Sequence, residues 1–273
     1  MPALCLGSAA RATTSIRVLN AYQNASVGTT LGASHSQIAS KMAEEIVKLN
    51  EALSASGANF TVELAGSVKA TTLLGVTVTD ALTKAYDDWS ILAARDQVKA
   101  DVTMVFVNFA PDYAGLTGGF PSAYLGMSVV NVTYLSRYAY QHEFGHLLGA
   151  QHQDAGGQAG NTPGGPSWAH GYYDLFHFTT PSAHDQCVHT IMAHPPLANW
   201  LGYNCGGNYN GKPNTSQRLI FSNINSPFSG DATHNNTYQM NLAAPTAATW
   251  HTTKLFKGPA VLGAVLNFLL LTQ

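Results

Sequence analysis

The segment Gln141-His-Glu-Phe-Gly-His-Leu-Leu-Gly-Ala-Gln-His152 carries three imidazoles and one carboxylate at spacings suited to metal-assisted hydrolysis. His142 and His146 stand four apart, so on a helix both rings leave one face, one turn from each other. That is the separation two ligands of a tetrahedral zinc require. Glu143, beside the first histidine, can reach a water on such a metal rather than the metal itself. Gly149 follows His146 by three residues, where a left-handed residue ends a helix with little strain. The chain then turns, and His152 can return as a third ligand. Three protein ligands leave one coordination position open, which marks a catalytic rather than a structural zinc. The competing reading is a helix with incidental histidines, since the chain has 11. From this composition the five positions arise by chance on the order of a few times in 10⁵, which disfavours it.

The pattern HExxHxxGxxH resembles the signature of the metzincin metallopeptidases. Thr190-Ile-Met192-Ala-His194, with Met192 forty residues beyond His152, resembles their methionine turn. Within that family the chain is most similar to the reprolysin (adamalysin) group, especially its secreted microbial members. The likeness runs through Arg95-Asp-Gln-Val-Lys-Ala-Asp101, Ala123-Tyr-Leu-Gly126 with Ser128-Val-Val130, and Trp168-Ala-His-Gly-Tyr172. It continues in Ile220-Phe-Ser-Asn223 and Asn241-Leu-Ala-Ala-Pro-Thr246, spanning roughly residues 15–251. The resemblance implies a zinc endopeptidase, with Zn2+ on His142, His146 and His152, Glu143 as general base and acid, and Met192 as an apolar floor. Two positions depart from the family. Gln153 stands where many adamalysins have Asp, with Asp154 one later, and His194 stands where relatives often have Tyr. His189 and His194 flank Met192 but are not needed as ligands, because three histidines and a water already complete a tetrahedron.

The elements that position this segment read as an alternating α/β chain. Ser15–Tyr22 alternates as a strand does, and Ser36–Leu53 has helical spacing, with Ser36 as cap and Gly57 as stop. Asn59–Ala65 reads as a second strand, Asp80–Ala100 as mostly helical, and Asp101–Asn108 as a central buried strand. Ala114–Phe120 reads as a glycine-rich loop, Ala123–Val132 as an edge strand and Leu135–Leu148 as the active-site helix. Residues 149–214, rich in Gly, Pro, Asn and His, read as mostly irregular. The expected architecture is a metzincin-type zincin catalytic domain over residues 15–253: a twisted mixed sheet, an active-site helix and a loop-rich C-terminal subdomain. An extended substrate would pair antiparallel with the edge strand at Ala123, Tyr124, Leu125 and Gly126. Residues after the methionine turn, about His194–Asn204, would wall the side-chain pocket.

Composition bounds the function class. The chain has 273 residues, 45% of them apolar and 10% charged, with a net charge of −2. No basic footprint for nucleic acid exists, and no stacked-repeat period appears. Cys187 and Cys205, with seventeen residues between them, could pair, a closure worth about 3 kcal/mol in the loop-entropy model. Five N-glycosylation sequons, at Asn24, Asn59, Asn131, Asn214 and Asn235, exceed the roughly three expected by chance and lean toward secretion. Residues 1–14 resemble the end of a signal peptide. In the tail, 254–273, the apolar run Ala260–Leu271 is too short to span a membrane. It suits either the removable tail of a lipid-anchor signal or a terminal helix on the core. The expectation is a secreted, monomeric zinc peptidase acting on proteins or peptides. The alternative is a metzincin-shaped surface module that binds a partner without cutting, and the intact Glu143 favours the enzyme.

Overall fold

In the computed structural model of the chain, residues 14–32, 34–71, 77–108, 112–118, 126–153, 166–176, 186–193, 208–209, 212–213, 215–225, 229–255 and 270–271 are described. Strand β1 (Thr14–Tyr22) is the frame on which the rest assembles. Its alternation points Ile16, Val18 and Tyr22 to one apolar core and Leu19 and Ala21 to another. Helix α1 (Asn24–Leu31) follows at once, then α2 (His35–Ala55), β2 (Phe60–Lys69), α3 (Val78–Ala85), α4 (Trp89–Val98) and β3 (Val102–Val107). Then come β4 (Gly115–Thr117), β5 (Met127–Asn131), a 3₁₀ turn (Val132–Arg137) and α5 (Ala139–Leu147).

These strands form a sheet in which β1 lies parallel to both β2 and β3, and β5 parallel to β3. β4 pairs antiparallel with β5 and, among the described residues, ends the sheet on that side. At the far side β11 (Leu270–Leu271) pairs antiparallel with β2, giving the order β11-β2-β1-β3-β5-β4. Helix α6 (Asn236–Ala247) is followed by a 3₁₀ turn (Trp250–Thr252). Helices α2, α5 and α6 cover one face through Met42, Leu49, Phe144, Leu147, Met240 and Ala244. Helices α3 and α4 cover the other through Val78, Leu82, Ile91 and Ala94. Such a sheet, buried on both faces, explains the continuous apolar run of β3. No helix among the described residues is long and apolar enough to cross a membrane.

Four expectations are corrected. Ser34, not Ser36, caps α2: its Oγ accepts from Gln37 N while Gln37 Oε1 accepts from Ser34 N. The helix expected over Asp80–Ala100 is two helices, because Asp88 Oδ1 accepts from the amides of Ser90 and Ile91 and so starts α4 afresh. The strand expected over Ala123–Val132 is β5, and it is an inner strand. The edge falls instead on β4, inside the stretch read as a loop. Ala123, Tyr124 and Leu125 lie outside the described residues, and Gly126 precedes β5. The half read as irregular contains β6 (Tyr173–Phe176), β7 (Gln186–His189), β8 (Asn208–Tyr209) and β9 (Lys212–Pro213). With β10 (Thr215–Gln217) it forms a three-stranded sheet, β10-β7-β6, and a two-stranded one, β8-β9. The Cys187 side chain and Cys205 are outside the described residues. At 0% exposure Asn131 is buried, its Oδ1 capping Thr133, so that sequon is closed to a glycan in the folded chain.

The Arg95–Asp101 phrase proves to be a clasp on the C-terminal segment. Arg95, 1% exposed, donates to Trp250 O (2.7 Å), Thr253 O (2.9 Å) and Asp96 Oδ1 (2.9 Å). Asp96 Oδ2 accepts from Leu255 N at 3.0 Å, and Asp101 accepts from His251 N at 3.1 Å and Arg17 N at 2.9 Å. Removing the guanidinium takes a donor from the Trp250 and Thr253 carbonyls and breaks its buried ion pair with Asp96. Arg95→Ala is therefore expected to lower unfolding free energy by about 3 kcal/mol. Denaturant melts of the two proteins measure this, and a difference under about 1 kcal/mol contradicts the clasp.

Candidate metal centre

Helix α5 carries the first two histidines and ends where the third can return. Its last turn is a Schellman closure: Gly149 N donates to His146 O and Ala150 N to Gly145 O, each at 3.0 Å. Gly149 sits at φ +81°, a conformation that costs a side-chain-bearing residue and costs glycine little. The reversed chain is then stitched down. Gln151 N donates to Ala169 O at 2.7 Å, Gly171 N to Gln151 O at 3.0 Å, and Gln151 N also meets Asn236 Oδ1. His152 follows in this anchored stretch.

The three rings converge on their Nε2 atoms. The separations are 2.9 Å for His142–His152, 3.0 Å for His146–His152 and 3.2 Å for His142–His146. Nδ1 of His142 lies 2.8 Å from Ile191 O, and Nδ1 of His146 lies 2.8 Å from Ala150 O. A carbonyl only accepts, so both Nδ1 atoms carry the proton and both Nε2 atoms present lone pairs. Lone pairs aimed at one another repel unless a cation lies among them. Ligand nitrogens about 2.05 Å from a tetrahedral zinc sit about 3.3 Å apart, close to these separations. The donor set therefore fits a divalent metal, with His142, His146 and His152 the residues that would hold it. His189, buried beside the turn, takes no part in this cluster.

Behind the ligands stands a tightly fitted layer. Residues 190–193 form a turn whose Thr190 N donates to Tyr172 O and whose Ile191 N donates to Ile220 O. A Cβ on Gly145 would come within 2.5 Å of Met192 Sδ, so the fully buried Met192 packs directly beneath the α5 backbone between the two helical histidines. A Cβ on Gly171 would lie 2.6 Å from Ala193 N and 2.7 Å from the Met192 carbonyl carbon. His170, which looks like an incidental loop histidine in the sequence, is buried. Its Nδ1 donates to the His152 carbonyl at 2.8 Å. The only hint of that role in sequence is its place in the Trp168–Tyr172 phrase. Gln153, the departure from the family pattern, is buried as well.

Glu143 faces the sheet edge. Its Oε2 accepts from Thr117 Oγ1 at 2.6 Å, and its backbone carbonyl lies 3.1 Å from the same hydroxyl and 3.4 Å from Ser128 Oγ. Burial pushes its carboxyl up to about 7, against the Thr117 hydrogen bond, which pulls it down. Thr117 does not stand out in the sequence, because β4 is only three residues long and begins with glycine.

No family profile matches the chain, and no curated protein does. Solved structures do. One described as "Structure of a chaperone-substrate complex" matches with TM-score 0.57 and 18% identity, over 87% of this chain and 35% of the other. Metalloproteinase-II from Bacteroides fragilis matches with TM-score 0.37 and 15% identity, over 54% of this chain and 46% of the other. The chain thus spans about a third of the first protein's length and under half of the second's. The first likeness is one of fold.

The close approach at Gly171 makes a direct test of the layer behind the ligands. Gly171→Ala must displace the backbone of Met192 and Ala193, an overpacking worth about 1–3 kcal/mol. A lower melting temperature together with weaker retention of an added divalent metal against a chelator is expected. An unchanged variant contradicts the packing described.

Proposed function

We propose that this chain is the catalytic unit of a secreted zinc-dependent metalloendopeptidase of the metzincin class that hydrolyses peptide bonds in proteins. The convergence of three imidazole Nε2 atoms, with Glu143 on the same helix as His142 and His146, carries the reading. Its other support is the match of residues 142–152 and Met192 to the metzincin pattern. Bound by the three histidines, zinc supplies Lewis acidity that polarises a carbonyl and acidifies a water.

The protein's own residues do the rest. Glu143 accepts the proton of the attacking water and delivers it to the departing amine. Its neighbour ligands are oriented by carbonyls, His142 by Ile191 and His146 by Ala150, so the imidazoles stay in the tautomer that binds metal. β4 ends the sheet beside Glu143, and its outer edge suits an extended peptide added as a further antiparallel strand. This reading moves the substrate strand from Ala123–Gly126 to Gly115–Thr117. Pairing through backbone groups makes the strand tolerant of sequence, as an endopeptidase requires.

Casein digestion with and without a chelator, alongside metal analysis, tests the assignment. The wild-type protein is expected to bind one equivalent of zinc and lose activity on its removal. Glu143→Gln should keep zinc and fold while kcat drops about 10³-fold. Proteolysis retained in zinc-loaded Glu143→Gln, or a wild-type protein that takes up no metal, overturns the proposal.

A further inference from the structure

Strand β4 does more than end the sheet. Residues alternate along it, so Gly115 and Thr117 face α5 while Leu116 packs into the opposite core. The Glu143 carboxyl lies across those two positions. Oε2 meets the Thr117 hydroxyl, and Oε1 lies 2.6 Å from where a Gly115 Cβ would be, so only a bare backbone leaves it room. Antiparallel pairing sets Thr117 opposite Ser128, with their hydroxyl oxygens 2.8 Å apart. Each hydroxyl has one hydrogen to give. The carboxylate is the closest and most strongly accepting neighbour of Thr117, so it takes that hydrogen. Ser128 then donates to Thr117 Oγ1 or to the Glu143 carbonyl.

We infer that Thr117 is a positioning residue for Glu143: its hydroxyl, backed by Ser128, fixes the carboxylate against the edge strand. This inference rests on the peptidase reading and deepens it. A glutamate side chain turns about three torsions, and a proton acceptor misplaced by about 1 Å can cost a hundredfold in rate. The same three residues whose outer edge would align a peptide therefore also set the direction of the base. A purely architectural role, pinning α5 to β4, would act through the contact to the Glu143 carbonyl. It would appear as lost stability or lost metal.

Two substitutions separate these roles. Thr117→Val keeps the branched shape and removes the donor, whereas Thr117→Ser keeps the donor. With zinc loaded, Thr117→Val is expected to lower kcat about ten- to hundredfold, leaving KM within about twofold and zinc content unchanged. Thr117→Ser should recover most of that loss. A second measurement needs no turnover. The chain has five glutamates, so protein labelled with ¹³C at the glutamate carboxyls gives few signals, and that of Glu143 is identified by its loss in Glu143→Gln. In metal-free protein at fixed pH this signal should move in Thr117→Val and return in Thr117→Ser. A Thr117→Val protein with wild-type kcat and an unmoved Glu143 signal overturns the inference. So does a loss of zinc or fold that Thr117→Ser fails to repair. A wild-type protein that cuts nothing, yet whose Glu143 signal answers to Thr117, refutes the peptidase reading and leaves the positioning contact standing.

Discussion

The site depends on one reversal of the backbone. After Leu147 the helix stops, Gly149 takes a left-handed conformation, and the chain folds back along Ala169–Gly171 so that His152 meets the two helical histidines. Three nitrogens then stand within 3.2 Å of one another. Two of the rings have their protons committed to carbonyl oxygens on the opposite side. Two lone pairs directed at one point beside a third imidazole suit a cation there, and the fold holds that geometry in place.

That burden is shared among elements distant in sequence. The Ile191 carbonyl aims His142, the Ala150 carbonyl aims His146, and His170 steadies the backbone of His152. Met192 fills the space that Gly145 leaves open, and Gly171 lets the 190–193 turn come close enough to do so. The helix itself is braced from the other side. Gln141 Nε2 donates to Glu45 on α2 at 3.1 Å, and the Tyr140 hydroxyl reaches Asn20 on β1. Anchored to α2, β1, the 190–193 turn and the Ala169–Gly171 return, the three histidines have little room to relax.

Much of the fold was legible because its elements are long and regular. β1, α2 and β3 have the periodicity of buried strands and an amphipathic helix, and they fall close to where the pattern puts them. Short elements were not legible. α1 contains a glycine and two threonines and has little helical signature, while β4 is three residues long in a glycine-rich stretch. The strand near Ala123–Val132 has the composition of a strand but says nothing about its neighbours. Whether it lies inside or at the edge depends on β4 pairing beside it.

Sequence alone picked out the three histidines that the fold brings together. Two histidines one helical turn apart, a glycine able to end the helix and a third histidine just beyond it leave few other chemistries. It also determined where the buried strands run, because apolar alternation needs no knowledge of partners. Only the tertiary structure decided which strand forms the rim, which carbonyls orient the imidazoles and which hydroxyl holds Glu143. Those are contacts between residues far apart in the chain, such as Thr117 with Glu143 and His142 with Ile191. They follow from how helices and strands pack, which no local spacing encodes.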